Sequence, residues 1–184
     1  MANHVSCHIS FDMNDKAQKW LSDLCESKKE NYEIPFISLL VSDDEEITYE
    51  KNLDLVGPKW SYISDFDGSF LSTYSAWTWP QSGIENLLKC LSLLDQNVTA
   101  SVTFEDEMPN FFGACKYSLD ENQNPIMTDD IEYDYDDLIQ YAINNHDELT
   151  GKWDSEKEEW SDEESQEIFN DNMYDMINQM QEEY

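Results

Sequence analysis

The sequence predicts an α+β fold followed by an acidic helical extension. Three observations carry that expectation. Several short segments alternate with period two, two amphipathic stripes of helical period lie between them, and the last third combines helical periodicity with crowded carboxylates. With 184 residues, 40% of them hydrophobic and 13% aromatic, the chain has enough apolar material for a substantial core.

The elements follow in chain order. "HVSCHISF" puts Val5, Cys7, Ile9 and Phe11 on one face and His4, Ser6, His8 and Ser10 on the other, the pattern of a half-buried strand. "KAQKWLSDLCESKK" aligns Ala17, Trp20, Leu21, Leu24 and Cys25 on one helical stripe. Asp15 stands near its start and Lys28 and Lys29 near its end, as the helix dipole favours. "EIPFISLLV" reads as a buried strand that Pro35 confines to an edge or to the strand start. Two extended segments, roughly 53–64 and 70–79, flank a hairpin turn at "DFDGS" around Gly68. "SGIENLLKCLSLLD" is a helix with Ser82 and Glu85 as a capping box and Ile84, Leu87, Leu88 and Leu91 on one face. "VTASVTFE" and "FFGACKYSL" add two strands joined by a turn at Met108–Asn110. This order implies an antiparallel or mixed sheet with both helices on one face.

Residues 120–129 read as a polar linker, so the chain divides into a 1–119 domain and a 120–184 extension. The extension holds two amphipathic helices. Asp134 with Asp137 starts the first, whose stripe is Tyr135, Leu138, Ile139 and Ala142. Ser161 with Glu164 caps the second, whose stripe runs through Phe169, Met173, Met176, Ile177 and Met180.

Charge narrows function. Forty-one acidic residues face ten basic ones, a formal −31, and every basic residue is a lysine. Arginine, the usual bidentate reader of phosphate and guanine, is absent, which argues against direct binding to nucleic acid or anionic lipid. Residues 129–184 hold 20 acids and two lysines, against 21 acids and eight lysines in residues 1–128. That asymmetry marks a tail or an interaction surface. Four cysteines, at 7, 25, 90 and 115, have no CxxC spacing and suit buried reduced thiols. No export signal or membrane-length apolar run is visible, so the expected location is the cytoplasm.

No motif names a reaction, a metal or a cofactor. Cys7 faces away from His4 and His8 on a strand, so the three cannot converge on a metal ion. A calcium loop begun at Asp65 would need a bidentate glutamate where Ala76 stands, and "DENQNPIMTDDI" has Pro125 where such a loop needs glycine. Nucleophile elbow, phosphate loop and HExxH are all missing. The chain is therefore expected to be no enzyme.

Several segments together are similar to a known family. "MANHVSCHI", "VGPKWSYIS", "STYSAWTWP" before an amphipathic helix, and "VTFEDEMPNFFGACKY" resemble the YubB ferredoxin-like domain family of phage and plasmid proteins. Gly57, Lys59, Trp60, Ala76, Trp77, Pro80 and Gly113 carry the resemblance, which covers about residues 1–119. It implies a ferredoxin-like fold and a mobile-element origin, and it brings no catalytic residues.

The acids of the extension sit on structured elements between aromatic side chains. This predicts a surface that imitates nucleic acid and engages a basic host nucleic-acid-binding protein. Its expected members are Asp129, Asp130, Glu132, Asp134, Tyr135, Asp136 and Asp137, then Asp154, Glu156, Glu158, Glu159, Trp160, Asp162 and Glu163. Glu182 and Glu183, at the chain end, are expected to matter little. The alternative is an interaction module that docks through the Met-rich helical stripe, with acidity serving solubility.

Overall fold

Val5, Cys7, Ile9 and Phe11 are buried while His4 and His8 are exposed, as strand alternation demands, in strand β1 (His4–Asp12) of the computed structural model. The structure describes residues 3–29 and 33–182; Met1, Ala2 and Glu183 lie outside that range. Helix α1 (Asp15–Lys28) follows, with the Asn14 side chain accepting the Ala17 N–H as its cap. The remaining elements are β2 (Ile34–Pro35), α2 (Tyr49–Leu55), β3 (Ser61–Phe66), β4 (Phe70–Ala76), α3 (Gln81–Ser92), β5 (Thr99–Asp106), β6 (Phe111–Leu119) and β7 (Pro125–Asp134). After them come α4 (Tyr135–Asn145), β8 (Trp153–Asp154), β9 (Glu159–Trp160) and α5 (Glu163–Glu182).

The fold is α+β, with a seven-stranded antiparallel sheet and five α-helices among the described residues. Strand order is β2-β3-β4-β1-β5-β6-β7, larger than the six strands read from sequence. Register puts Cys7 opposite Thr73 on β4 and Phe104 on β5, so the buried side chains of the three central strands share one face.

Four expectations are corrected. The run after Pro35 is a 3-10 turn, Phe36–Leu39, in which the Ser38 hydroxyl donates to the Pro35 carbonyl and bends the chain out of the sheet. Residues 49–55 are helical because Thr48 accepts the Lys51 N–H as an N-cap; the extended segment begins only at Ser61. Helix α3 starts at Gln81, so Ser82 lies inside it and forms no capping box. The linker shrinks to Asp120–Asn124, a tight turn whose Asp120 carboxylate accepts the N–H groups of Asn122 and Asn124. Residues 125–129 are part of β7.

The chain forms two compact units, residues 1–108 with 113–131, and residues 109–112 with 132–184. The first unit thus runs past residue 119, and Phe112, at the start of β6, belongs to the second.

In the first unit the core gathers Leu21, Ile34, Phe36, Ile63, Leu71, Ile84, Leu87 and Leu88. Gly83 marks a close approach: a Cβ there would stand 2.9 Å from the Phe36 ring and 3.2 Å from Val56 Cγ1. Gly83→Ala should therefore cost about 1–3 kcal/mol through overpacking, measured by urea denaturation, despite alanine's better helix propensity.

The second unit has its own core of Phe112, Leu138, Ile139, Ala142, Leu149, Trp160, Phe169, Met176, Ile177 and Met180. Rings from β9 and α5 meet there, with Trp160 at 5.2 Å from both Trp153 and Phe169.

Candidate functional site

Helix α4 shows how the acidic elements are held. Asp134 accepts the Asp137 N–H at 3.0 Å, and Asp137 accepts the Asp134 N–H at 3.1 Å, a reciprocal capping box. These two carboxylates are therefore fixed in place while exposed, with Asp136 exposed between them. Tyr135 is 37% exposed: its ring meets Phe169 edge-on at 6.0 Å, and partial desolvation raises its hydroxyl pKa.

Helix α5 is capped by Asp162, which the sequence reading assigned to Ser161. Its carboxylate accepts from the Ser165 N–H at 2.8 Å and the Ser165 hydroxyl at 2.6 Å, and from Lys152 Nζ at 2.9 Å. The Ser165 bonds, then Lys152, hold this carboxyl well below the usual carboxylate range. A depressed folded pKa stabilises above the unfolded value of about 3.9 and stops doing so as pH falls through the folded one. Asp162→Ala should therefore lower the melting temperature at neutral pH, and the gap from the parent chain should narrow on acidification. Thermal melts from about pH 7 to about pH 3 check this.

The second unit has two lysines in its sequence, and both are consumed locally. Lys152 pairs with Asp162, while Lys157 pairs with Asp154 at 3.2 Å and Glu159 at 3.6 Å. The Lys157 bond is the main cause of the lowered Asp154 pKa. Glu156, Glu158 and Glu163 are exposed and have no ion-pair partner among the described residues. Asp129 and Asp130, in the first unit, and Glu132, in the second, are exposed on β7. Trp160 is only 6% exposed and is core, so it leaves the surface assigned to it from sequence.

Helix α5 supplies acids the sequence reading passed over. Glu163, Glu167, Asp171 and Asp175 recur every fourth residue and are all exposed, while Phe169, Met176, Ile177 and Met180 are buried on the opposite side. Residues four apart rise about 6 Å along the axis. The signal is the four-residue spacing itself, interleaved in the sequence with the Met-rich stripe. Tyr174, 51% exposed, stands on the acidic side. Glu182 is exposed near the helix end. The Met-rich stripe, the alternative docking face, is occupied as core.

A second feature lies on the open face of the sheet in the first unit. Trp60, Tyr62, Tyr74 and His4 form one ring cluster, with His4–Trp60 at 5.1 Å and Tyr62–Tyr74 at 5.7 Å. Distant segments are joined there by register, Tyr62 opposite Tyr74 and His4 opposite Ala76.

Chemistry finds few footholds. Burial raises the thiols of Cys25 and Cys115 to about 12 and that of Cys7 further, so none is a poised nucleophile. Among the described residues no three His, Cys, Asp or Glu side chains gather at metal-binding distance, and no helix is long and apolar enough to cross a membrane.

No family model, no curated protein and no solved structure matches this chain.

Proposed function

We propose that this protein is an acidic mimic of a nucleic-acid backbone, phage-encoded, that occupies the basic channel of a host nucleic-acid-binding protein and inhibits it. Defence nucleases, restriction or CRISPR effectors and transcription proteins present such channels. The observation that carries this reading is the row of carboxylates on α5 that have no ion-pair partner among the described residues, fixed to a helix whose other side is core.

Magnitudes favour it over simple solvation. Six carboxylates lie along the twenty residues of α5, about 30 Å, which is one charge per about 5 Å. A single strand of duplex DNA presents one per about 3.4 Å of axis. A helix adapted only for solubility interleaves lysines, and like charges four apart destabilise it by about 0.2–0.5 kcal/mol per pair. Neither α4 nor α5 contains a lysine.

The ferredoxin-like resemblance is part of the same reading. It draws support from the order β3-β4-β1-β5, antiparallel, with α1 and α3 in the connections, to which β2, β6 and β7 are additions. Family likeness to YubB-type proteins would account for a mobile-element origin.

The test is capture from host lysate on the immobilised full chain, eluted with rising salt. The expected result is basic nucleic-acid-binding proteins released as screening shortens to about 8 Å at physiological strength. Capture that is indifferent to salt, or free of such proteins, would oppose the reading.

A further inference from the structure

The two edges of the seven-stranded sheet are built differently. One edge is β2, only two residues long and ended by Pro35, which has no N–H to offer. The other is β7, ten residues long, with its proline at the first position and no lysine in it. Short length, proline and lysine are devices that stop an edge from pairing with another chain. Beyond its first residue β7 has none of them.

Strand β6 lies along one side of β7, and among the described residues no strand lies along the other. In an antiparallel pair alternate residues turn their N–H and C=O groups to the neighbour, so every second residue of β7 turns them outward. Within the first unit this edge comprises residues 125–131. None of them is buried, Ile126 is 42% exposed, and among the described residues no turn or loop backbone bonds to them.

Charge selects what can pair there. Asp129 and Asp130 are successive, so their carboxylates stand on opposite faces of the sheet. Both are exposed, and neither has an ion-pair partner among the described residues. Lys116, one strand inward on β6 where its carbonyl accepts the Thr128 hydroxyl, is the single cation of residues 111–134.

A second copy of this chain, paired antiparallel across the middle of β7, would set Asp129 and Asp130 against their own counterparts. Like charges directly opposite destabilise a strand pair, so self-pairing and acidic strands are disfavoured. A strand with two adjacent cations meets one carboxylate on each face. Ile126 shares the face of Asp130 and Ile131 that of Asp129, so each face also offers an apolar cross-strand contact.

We propose that β7 accepts an added strand from a partner: an extended polypeptide segment with two adjacent lysines or arginines flanked by β-branched residues. Its backbone completes the ladder on residues 125–131, and its cations face Asp129 and Asp130. The ladder gives affinity and the paired acids give selectivity. This proposal does not rest on mimicry by α5.

Three synthetic peptides titrated into the full chain, followed by NMR and amide hydrogen exchange, test this. One is a Val/Thr strand with a central Lys-Lys pair, the second has Glu-Glu in its place, and the third keeps the lysines but has its backbone nitrogens methylated. The first should slow exchange at every second amide of residues 126–131, the second should bind about tenfold more weakly, and the third should leave that exchange unchanged. Asp129→Asn with Asp130→Asn, both exposed, should weaken the first peptide about fivefold with an unchanged melting temperature. Unslowed exchange with the first peptide, or shifts confined to the acids of α4 and α5, would overturn the proposal. So would equal binding of the methylated or the glutamate peptide, or an unaffected double variant. The edge lies in the first unit and the acidic row of α5 in the second, so either proposal can fail while the other stands.

Discussion

Phe169→Ala should destabilise the second unit by about 3–5 kcal/mol, the usual cost of removing a fully buried phenylalanine. Its ring is 1% exposed and meets both Trp160 and Tyr135. Collapse around the void is limited because Met176 and Ile177 are already fully buried. Denaturant unfolding followed by tryptophan fluorescence reads the change through Trp153 and Trp160. The same variant separates two roles for the Met-rich stripe. A core stripe gives lost stability; a docking stripe would give lost partner binding with stability intact. Tyr135→Ala should follow the first pattern more mildly, since that ring is 37% exposed.

Neutralising Glu163, Glu167, Asp171 and Asp175 together, to Gln, Gln, Asn and Asn, should slow association with the captured partner about tenfold or more at low salt. Folding should survive and gain slightly. Three like-charge pairs at i,i+4 vanish, worth about 1 kcal/mol in all, partly offset by losing Glu163 from the helix N-terminus. A chain that becomes no less stable yet associates more slowly isolates a functional use for the repulsion. Asp134, Asp136 and Asp137 changed to asparagine should act in the same direction without breaking the helix start, because asparagine caps as well as aspartate. Association that is unchanged in both variants would reduce the carboxylates to solvation.

Elements with strong local signals were legible in the sequence. Strand β1 and helix α1 show their periods directly, and the Asp134–Asp137 box announces α4. Helix α2 was not legible because Leu53, Leu55 and Val56 mimic strand spacing and the deciding cap, Thr48, stands before them. Strand β7 escaped because none of its residues is buried and its carboxylates hide any alternation. For the site, a count of charges found the acidic region but not which acids are free. Asp154, Glu159 and Asp162 are spent on lysines, a matter of tertiary placement, and Trp160 reads as an anchor until its neighbours are known. The ring cluster of His4, Trp60, Tyr62 and Tyr74 depends on register between strands far apart in sequence, which no single segment encodes.

Mimicry is tested most directly on the captured partner itself, by titrating this protein into a preformed complex of that partner with labelled nucleic acid. The account predicts mutual exclusion: the labelled nucleic acid is released as this protein binds, added nucleic acid reverses the effect, and both competitions weaken as salt rises. A stable ternary complex, with neither ligand losing affinity for the partner in the presence of the other, would contradict it.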